Sequence, residues 1–493
     1  MGGVSIDLYF VTHEDTVIPL RLEYLMPCLP IVACWFVLSA CLIAGETPPP
    51  PPAPVPVAFL PSLTLSADER TILERFVGHA TTYAAGLTQE KVRAQCAQSP
   101  EMFAWIEFPS LAGLLDAYAL TNDVRYLDTF RDRMSLFLDI MEPGDDGFLG
   151  WWGRTLKDRQ LADKPDLRID ELQMNFRAIA VLSRWIDLAR QHPDYAAANA
   201  AVIAKYLASM EEHLFPKWDK RGFFVDLGLV GGTYRGLDYP LVHTNRTGVT
   251  LSHEKSSIVV DGLLQLYRVT GKSLYLRRAI QLGIKFKHCL SLIDDHYEWM
   301  SWEPGGRWDA HPTKEDAWAV GWIAPDPNGG WYEASVSIAV SLYQHGLVFD
   351  DTDLARLIAT QKKRCWNGDL VTPVYRTVAG VSGAENKFVK GRFLSLALSL
   401  YDPVLSQLAF AGPHEADLLT GSTNSWKGLI AIESYVRAKY FMRPLLANGP
   451  RPYAKVGEQF LADPDNRAFY DKLQFTVVAP GCITPLKPSQ MTH

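Results

Sequence analysis

Cysteine is scarce and scattered. The seven thiols in 493 residues stand at 28, 34, 41, 96, 289, 365 and 482, and no two form a CxxC pair. Zinc-ribbon and thioredoxin chemistry therefore lack a framework, and the four thiols beyond Cys41 read as buried rather than bridged. A strong charge excess is missing too. The 48 Lys and Arg against 55 Asp and Glu leave −7, which gives no general footprint for nucleic acid and would require a local basic cleft for any acidic substrate. No GxSxG or GxGxxG occurs. Gly271-Lys272-Ser273 has Leu266 where a phosphate loop needs glycine, and His253-Glu254 is followed by Ser257 where a zinc protease needs histidine. Hydrophobic residues at 48% and charged residues at 21% exclude a mostly disordered chain. Aromatic residues are what the chain has in surplus, with 14 Trp and 20 Tyr.

The amino-terminal region reads as an export segment. Met26 to Ala44 is an uncharged apolar run containing Leu38-Ser39-Ala40-Cys41, which resembles the lipobox of bacterial lipoproteins and implies lipidation of Cys41. An uncleaved membrane anchor is the alternative, because the run is nearly long enough to span a bilayer. Met1 to Leu25 is long for the charged part of a signal, so a start at Met26 is a second alternative. The prolines at 48–52, 54 and 56 make a stiff extended spacer. The expected organisation is a signal or anchor over 1–45, a Pro-rich linker over 46–62 and a helical catalytic domain over 63–493. Its expected location is the bacterial cell envelope or the outside of the cell.

The body repeats a helical hairpin. Leu114 to Leu127 and Leu263 to Leu276 share the pattern LLxxYxxTxxxxYL, whose Leu and Tyr spacings line one helix face. Gly271 suits a left-handed helix end, and Asp123 or Ser273 can cap the next helix. Weaker hairpins follow over Glu171–Arg190 with Tyr195–His213 and over Glu333–Gln344 with Thr352–Arg364. Gly391–Leu400 and Ser425–Phe441 add further apolar helices, for ten to twelve in all. Hairpins that bury their faces against neighbours can close into a ring, so an all-α fold, an (α/α)6–7 toroid with long aromatic loops, is expected. An open solenoid is the alternative, and the long irregular stretches argue against it.

Those stretches are Glu142–Leu167, Pro216–Thr250, Asp294–Trp331 and Asn367–Lys390, and loops of such length are usually functional. Trp151, Trp152, Trp218, Trp299, Trp302, Trp308, Trp318, Trp322 and Trp331 lie in or beside them. Flat indoles stack on the apolar face of a pyranose, so a glycan groove is expected, against the plainer reading that each ring packs its own loop. Over roughly residues 66 to 447 the hairpins with aromatic loops resemble the α/α-toroid carbohydrate-active enzymes. These include toroidal polysaccharide lyases of the alginate- and glucuronan-lyase kind, with six-hairpin glycosidases as neighbours. The resemblance rests on architecture and a degenerate repeat.

What the resemblance implies is chemistry on an acidic polysaccharide by β-elimination, with Asn, His, Tyr and Arg in the working roles. His243-Thr244-Asn245-Arg246, running on to His253 and Glu254, holds most of that set. Asn245 and Arg246 would neutralise the uronate carboxylate, a task like that of an oxyanion hole. His243 or His253 would act as base, and Tyr297 or Tyr332 as acid, with Tyr234 and Tyr239 also near. Trp151, Trp152, Arg235, Tyr239, Glu254, Trp299, Trp302, Arg307 and Trp331 would bind substrate, with Arg376 adding positive field. The bland alternative makes Asn245 a turn former, His253 a capping residue and Glu254 a partner of the helix dipole. A glycoside hydrolase, including an unsaturated-uronyl hydrolase, would instead use a carboxylate pair from Asp294, Asp295, Glu298, Asp309, Glu315, Asp316 and Glu333. A sugar epimerase would need two bases such as His243 and His253, and a non-catalytic surface glycan-binding lipoprotein would need the indoles alone. No cofactor and no metal site is expected, although Asp294-Asp295 could hold calcium. The expected partners are the glycan and, through its anchor, a membrane.

Overall fold

The computed structural model describes residues 57–154, 168–236, 248–311, 313–319, 325–327, 330–381, 395–410, 433–475 and 487–490. The signal segment with Cys41, and the linker up to Pro56, lie outside them. Helices dominate, as the hairpin pattern predicts. They are α1 (Ala67–Ala85), α2 (Gln89–Gln98), α3 (Phe108–Thr121), α4 (Arg125–Leu138), α5 (Leu172–Arg190), α6 (Ala200–Ala208), α7 (His253–Thr270), α8 (Ser273–His288), α9 (Gly330–Gln344), α10 (Asp351–Lys363), α11 (Leu396–Ser399) and α12 (Pro403–Phe410), with a further helix through 433–446. Among the described residues helices outnumber the ten to twelve expected, with π turns and short helices between the long ones. Among the described residues no helix is long and apolar enough to cross a membrane.

Local chemistry sets the ends. Ser66 and Glu69 form a capping box at α1, as do Asp350 and Asp353 at α10, each satisfying amides that a helix start leaves open. The two copies of the repeat end alike, with Asn122 (φ 59°) after α3 and Gly271 (φ 69°) after α7 in the left-handed region. Asp123 accepts the Arg125 amide at 3.0 Å. Ser273, by contrast, lies inside α8 and accepts from Asn466 Nδ2 at 2.9 Å.

Packing follows chain order. α3, α5, α7, α9 and α11 each lie against the next, and each also packs on its own hairpin mate, α4, α6, α8, α10 and α12 respectively. α3, α5 and α7 run in one direction, because like ends meet. Near their starts, Gln173 Nε2 reaches Glu101 Oε1 at 3.3 Å and Lys255 Nζ lies 3.7 Å from the same oxygen. Near their finishes, Arg190 Nη1 donates to Val269 O at 2.7 Å. The helix through 433–446 returns to the start of the fold, where Arg437 Nε donates to Asp116 Oδ2 on α3 at 3.0 Å and Lys439 Nζ pairs with Glu69 on α1 at 3.0 Å.

α5 and α7 make the most extensive contact of all. Gly262 is the reason they can. A Cβ there would stand 2.6 Å from Phe176 O. Helix propensity favours Ala over Gly by about 1 kcal/mol, yet overpacking costs about 1–3 kcal/mol. Gly262→Ala should therefore lower the unfolding free energy by up to about 2 kcal/mol, where an exposed helical glycine would raise it; chemical denaturation checks the sign.

Three two-stranded hairpins interrupt the helices. They pair β1 (Glu142–Pro143) with β2 (Leu149–Gly150), β3 (Phe224–Asp226) with β4 (Gly232–Tyr234), and β5 (Ser291–Ile293) with β6 (His296–Glu298). The chain then forms a narrow antiparallel neck before the next long helix. Gly153 and Ile169 exchange backbone bonds of 3.1 and 2.7 Å ahead of α5. Gly236 donates to Val249 at 2.6 Å and accepts from Gly248 at 2.9 Å ahead of α7. Met300 bridges Pro325, with Asp326 N on Trp299 O at 3.0 Å, ahead of α9. The order helix, helix, hairpin, neck thus occurs three times.

Candidate functional site

Each neck delivers polar side chains to the start of a helix. After the first come Asp170, Glu171 and Gln173; after the second, Ser252, Glu254 and Lys255; after the third, Asp326, Trp331 and Tyr332. A π turn, Phe103–Glu107, precedes α3 and carries Trp105, with Glu101 just before it. π turns recur at functional sites. Glu101 Oε1 accepts from Trp105 Nε1 at 3.2 Å and from Gln173 Nε2 at 3.3 Å, and Gln173 Nε2 also donates to Glu171 Oε2 at 3.0 Å.

Lys255 is the cation of this group. Burial works against its ammonium, but the charges of Glu101, Glu171 and Glu254 outweigh that and raise its pKa. Glu254 has the opposite fate. Burial lifts its pKa to about 7 against the pull of Lys255, and the nearby Asp326 charge adds to the rise. Burial likewise raises Asp326 to about 7, although Ser335 and Trp299 bonds favour its charge. Its Oδ2 accepts from Trp299 Nε1 at 2.7 Å, while Oδ1 has no hydrogen-bond partner among the described residues. Both carboxyls are thus pushed toward the protonated form near neutral pH, where a carboxyl can act as a general acid. The group is reachable, with Lys255 20% and Glu101 12% exposed at their side chains.

The sequence-derived residues separate into three sets. His243, Asn245, Arg246, Tyr239 and Trp322 lie outside the described residues, as does Cys482. Both ends of 237–247 are nonetheless held, since Arg235 Nε donates to Gly248 O and Leu251 N to Tyr234 O at 3.0 Å. Arg235 is therefore a fastener of that neck. The second set is Glu254, which joins the cluster, with Trp331 and Tyr332 at the start of α9, where the Asp326 charge reaches the fully buried Tyr332 hydroxyl. Ser252 occupies the cap position of α7, but its hydroxyl turns to Glu254 Oε1 at 3.4 Å instead of capping an amide.

The third set is frame, contrary to expectation. Trp151 is fully buried among Phe103, Phe108 and Phe137, and its Nε1 donates to Phe137 O at 2.7 Å. Trp299 is fully buried and stacked on Tyr332 at 5.6 Å, which buries the Tyr332 ring completely. Trp302 is buried with Nε1 on Thr250 O at 2.7 Å. None of these rings presents a face to a sugar. Trp152 keeps partial exposure, bonding Glu142 O at 3.1 Å, with the Arg221 guanidinium over its ring. Arg307 is exposed at the start of a short 3₁₀ turn.

The acid–base expectations shift for the same reason. His253 is buried against Phe286, and burial together with the Lys285 charge depresses its pKa to about 3, so it stays neutral and weakly basic. With Thr233, Thr250, Lys285 and Glu303 it lines a cavity of about 10 Å³, about the room one water needs. Tyr297 is fully buried; its hydroxyl donates to Asp353 Oδ1 at 2.7 Å and accepts from Arg356 Nη1 at 3.0 Å, pinning β6 to α10. Burial and the Asp353 bond raise its pKa, so it holds its proton. Tyr297→Phe should cost about 1.5–3 kcal/mol of stability, the range for bonds to charged groups, while leaving turnover per folded molecule unchanged; paired denaturation and rate measurements check both halves.

The other carboxylates are also engaged. Asp309 is fully buried and ties two loops by accepting Thr250 N at 2.7 Å, Thr250 Oγ1 at 2.7 Å and Gly305 N at 2.6 Å. Glu298 pairs with His296 at 3.2 Å and Arg364 at 3.0 Å, and Asp295 pairs with Lys363. Asp294 takes the left-handed turn of the β5–β6 hairpin, Asp316 accepts Ser489 N at 2.9 Å, and Glu315 is exposed. Glu333 accepts Ala397 N at 3.1 Å at the start of α11. Among the described residues no group of three or more His, Cys, Asp or Glu side chains is arranged to hold a metal ion. Cys96, Cys289 and Cys365 are buried and form no disulfide among the described residues.

Glu101, Trp105, Glu171, Gln173, Lys255 and Asp326 escaped the sequence reading. One signal was present: Asp170-Glu171-Leu172-Gln173-Met174-Asn175 sets four polar side chains in six positions of a helix start that is wholly buried. No family model matches the chain, and neither a curated protein nor a solved structure matches it.

Proposed function

We propose that the chain is an exported carbohydrate-active enzyme, anchored through Cys41, whose helical hairpins form an α/α ring acting on a uronic-acid-containing glycan. The sequential packing of α3, α5, α7, α9 and α11, and the return of 433–446 to α1 and α3, support the ring. The observation that carries the chemistry is Glu254, raised to about 7 beside Lys255 and within reach of the Asp326 and Glu101 charges, with Glu171 acting on the same Lys255. A protonated Glu254 gives its proton to the leaving glycosidic oxygen, and a carboxylate paired with Lys255 takes one from water, which is the division of labour in glycoside hydrolysis. Hydration of an unsaturated uronide needs the same pair. This reading therefore moves from β-elimination toward carboxylate catalysis.

β-Elimination remains the second reading on one observation. The neck before α7 holds both ends of 237–247, the segment with His243, Asn245 and Arg246, and leads directly to Ser252 and Glu254.

The test offers the purified chain alginate, glucuronan, pectate and glycosaminoglycans, following ultraviolet absorbance and reducing ends together. Reducing ends without absorbance support the carboxylate reading, and a rise in both supports elimination. Bleaching of lyase-made unsaturated oligomers identifies a downstream hydrolase. Inversion at a uronate carbon without cleavage identifies an epimerase. Silence in every assay, with binding retained, leaves a glycan-binding protein and sinks both readings.

A further inference from the structure

A second charged group lies deeper between the same helices. On α5, every residue from Leu172 to Ile186 is buried except Arg177 and Arg184, seven apart and so on one face. On α7, the only residues from His253 to Leu264 that are not buried are Glu254, Lys255 and Asp261. These two narrow stripes face each other, since Arg177 Nη1 lies 3.8 Å from Asp261 Oδ2, and Arg268 Nη2 lies 2.8 Å from Asp187 Oδ2 further along. Arg177, Arg184 and Asp261 all keep partial side-chain exposure, so solvent reaches the stripes. At 1.5 Å per residue, Arg177 and Asp261 stand about 9 Å below Glu171 and Lys255.

The helix through 433–446 adds the third arginine. Arg437 donates to Asp116 Oδ2 at 3.0 Å and also pairs with Glu433, while Arg184 shares Asp116 from the other side. Asp116, Asp261 and Glu433 match the three guanidiniums in number, but they do not fill every N–H. Arg177 Nε and Arg184 Nη1 are buried atoms without a hydrogen-bond partner among the described residues. The Arg177 pairing with Asp261 is long, and both guanidinium side chains keep exposure, 25% for Arg177 and 22% for Arg184. Unfilled N–H groups on planar guanidinium forks match a carboxylate, which accepts two parallel bonds.

We infer that Arg177, Arg184 and Arg437 form an anion subsite that takes the carboxylate of an acidic sugar, with Asp261 as the competing internal anion. This deepens the proposed function by assigning how a uronate is recognised, and in that respect rests on it. Asp261 then acts as a counterion that the sugar carboxylate displaces from Arg177.

Calorimetric titration of the full chain with glucuronate, and with glucose as its neutral counterpart, tests the subsite without requiring turnover. Glucuronate should bind at least about tenfold more tightly than glucose, since a charge-assisted bond is worth about 1.5–3 kcal/mol. Arg177→Gln should remove most of that preference. Asp261→Asn should act in the opposite sense, tightening glucuronate binding because Arg177 loses its internal partner. If Arg177→Gln fails to fold, the direction of the Asp261→Asn change decides alone. Equal binding of the two sugars, no binding of glucuronate, or weaker binding by Asp261→Asn overturns the inference. Inorganic phosphate competing as strongly as glucuronate overturns the sugar assignment in favour of a general anion site. Glucuronate preference without any cleavage or bleaching would sink the enzymatic reading and leave the subsite standing, whereas cleavage of neutral glycans alone would do the reverse.

Discussion

Asp170→Ala should destabilise the fold by about 3–5 kcal/mol, the cost of leaving a buried charge without its partner. Asp170 Oδ2 lies 2.6 Å from Lys217 Nζ and 3.2 Å from Arg221 Nη1, with Asp170 and Lys217 both essentially inaccessible. Its other oxygen accepts Asn175 Nδ2 at 3.0 Å, and Lys217 also donates to Leu149 O at 3.0 Å. One carboxylate thus joins the first hairpin, the start of α5 and the segment after α6. Burial lowers the Lys217 pKa even with Asp170 in place, so removing Asp170 forces the lysine either to lose its proton or to remain charged and unpaired. Because a buried pair is often no better than an apolar replacement, the double change Asp170→Leu with Lys217→Met should recover a large part of the loss. Denaturant unfolding of the three variants measures this, and a single-variant loss below about 1 kcal/mol would show that solvent reaches Lys217.

Glu254→Gln should abolish turnover by about 10²–10⁴-fold, the range for removing a general acid, while the protein stays folded. The pH dependence has a definite sign. The Glu254 carboxyl is raised from its ordinary 4.5 to about 7, so the folded chain binds the proton more tightly than the unfolded chain. Its contribution to stability is complete below pH 4.5 and is lost as pH rises through 7. Wild-type stability should therefore fall across that window more steeply than that of Glu254→Gln, with Asp326, also near 7, sharing the effect. Activity should fall on the same alkaline limb as the acid loses its proton. Unchanged rates in Glu254→Gln would remove Glu254 from the chemistry and return attention to His243.

How far the sequence spoke for itself depended on distance along the chain. The helix ends were legible because their causes are local: Gly271 and Asn122 adopt left-handed conformations at the ends of the two repeat copies, and Ser66 meets Glu69 three residues on. The indoles were misread because a sugar platform and a core ring have the same composition. What separates them is the partner of Nε1, and for Trp151, Trp299 and Trp302 that partner is a protein oxygen 14, 27 and 52 residues away respectively. Tyr297 was misread likewise, its hydroxyl being committed to Asp353, 56 residues on. Of the candidate site, Glu254 was legible at a loop-to-helix junction. Lys255 is its chain neighbour, but Glu101 and Glu171 come from two other helix starts, and only parallel packing brings them to it.

The necks have a consequence for how such a chain can change. Each clamps the two legs of an excursion by backbone bonds just before a long helix, so the helix receives its entry geometry from the clamp and not from what lies beyond it. Lengthening an excursion whose ends are already fixed costs only about 0.6 kcal/mol per doubling. A helix start clamped in this way keeps its register when the chain between the two legs of its neck is lengthened or shortened.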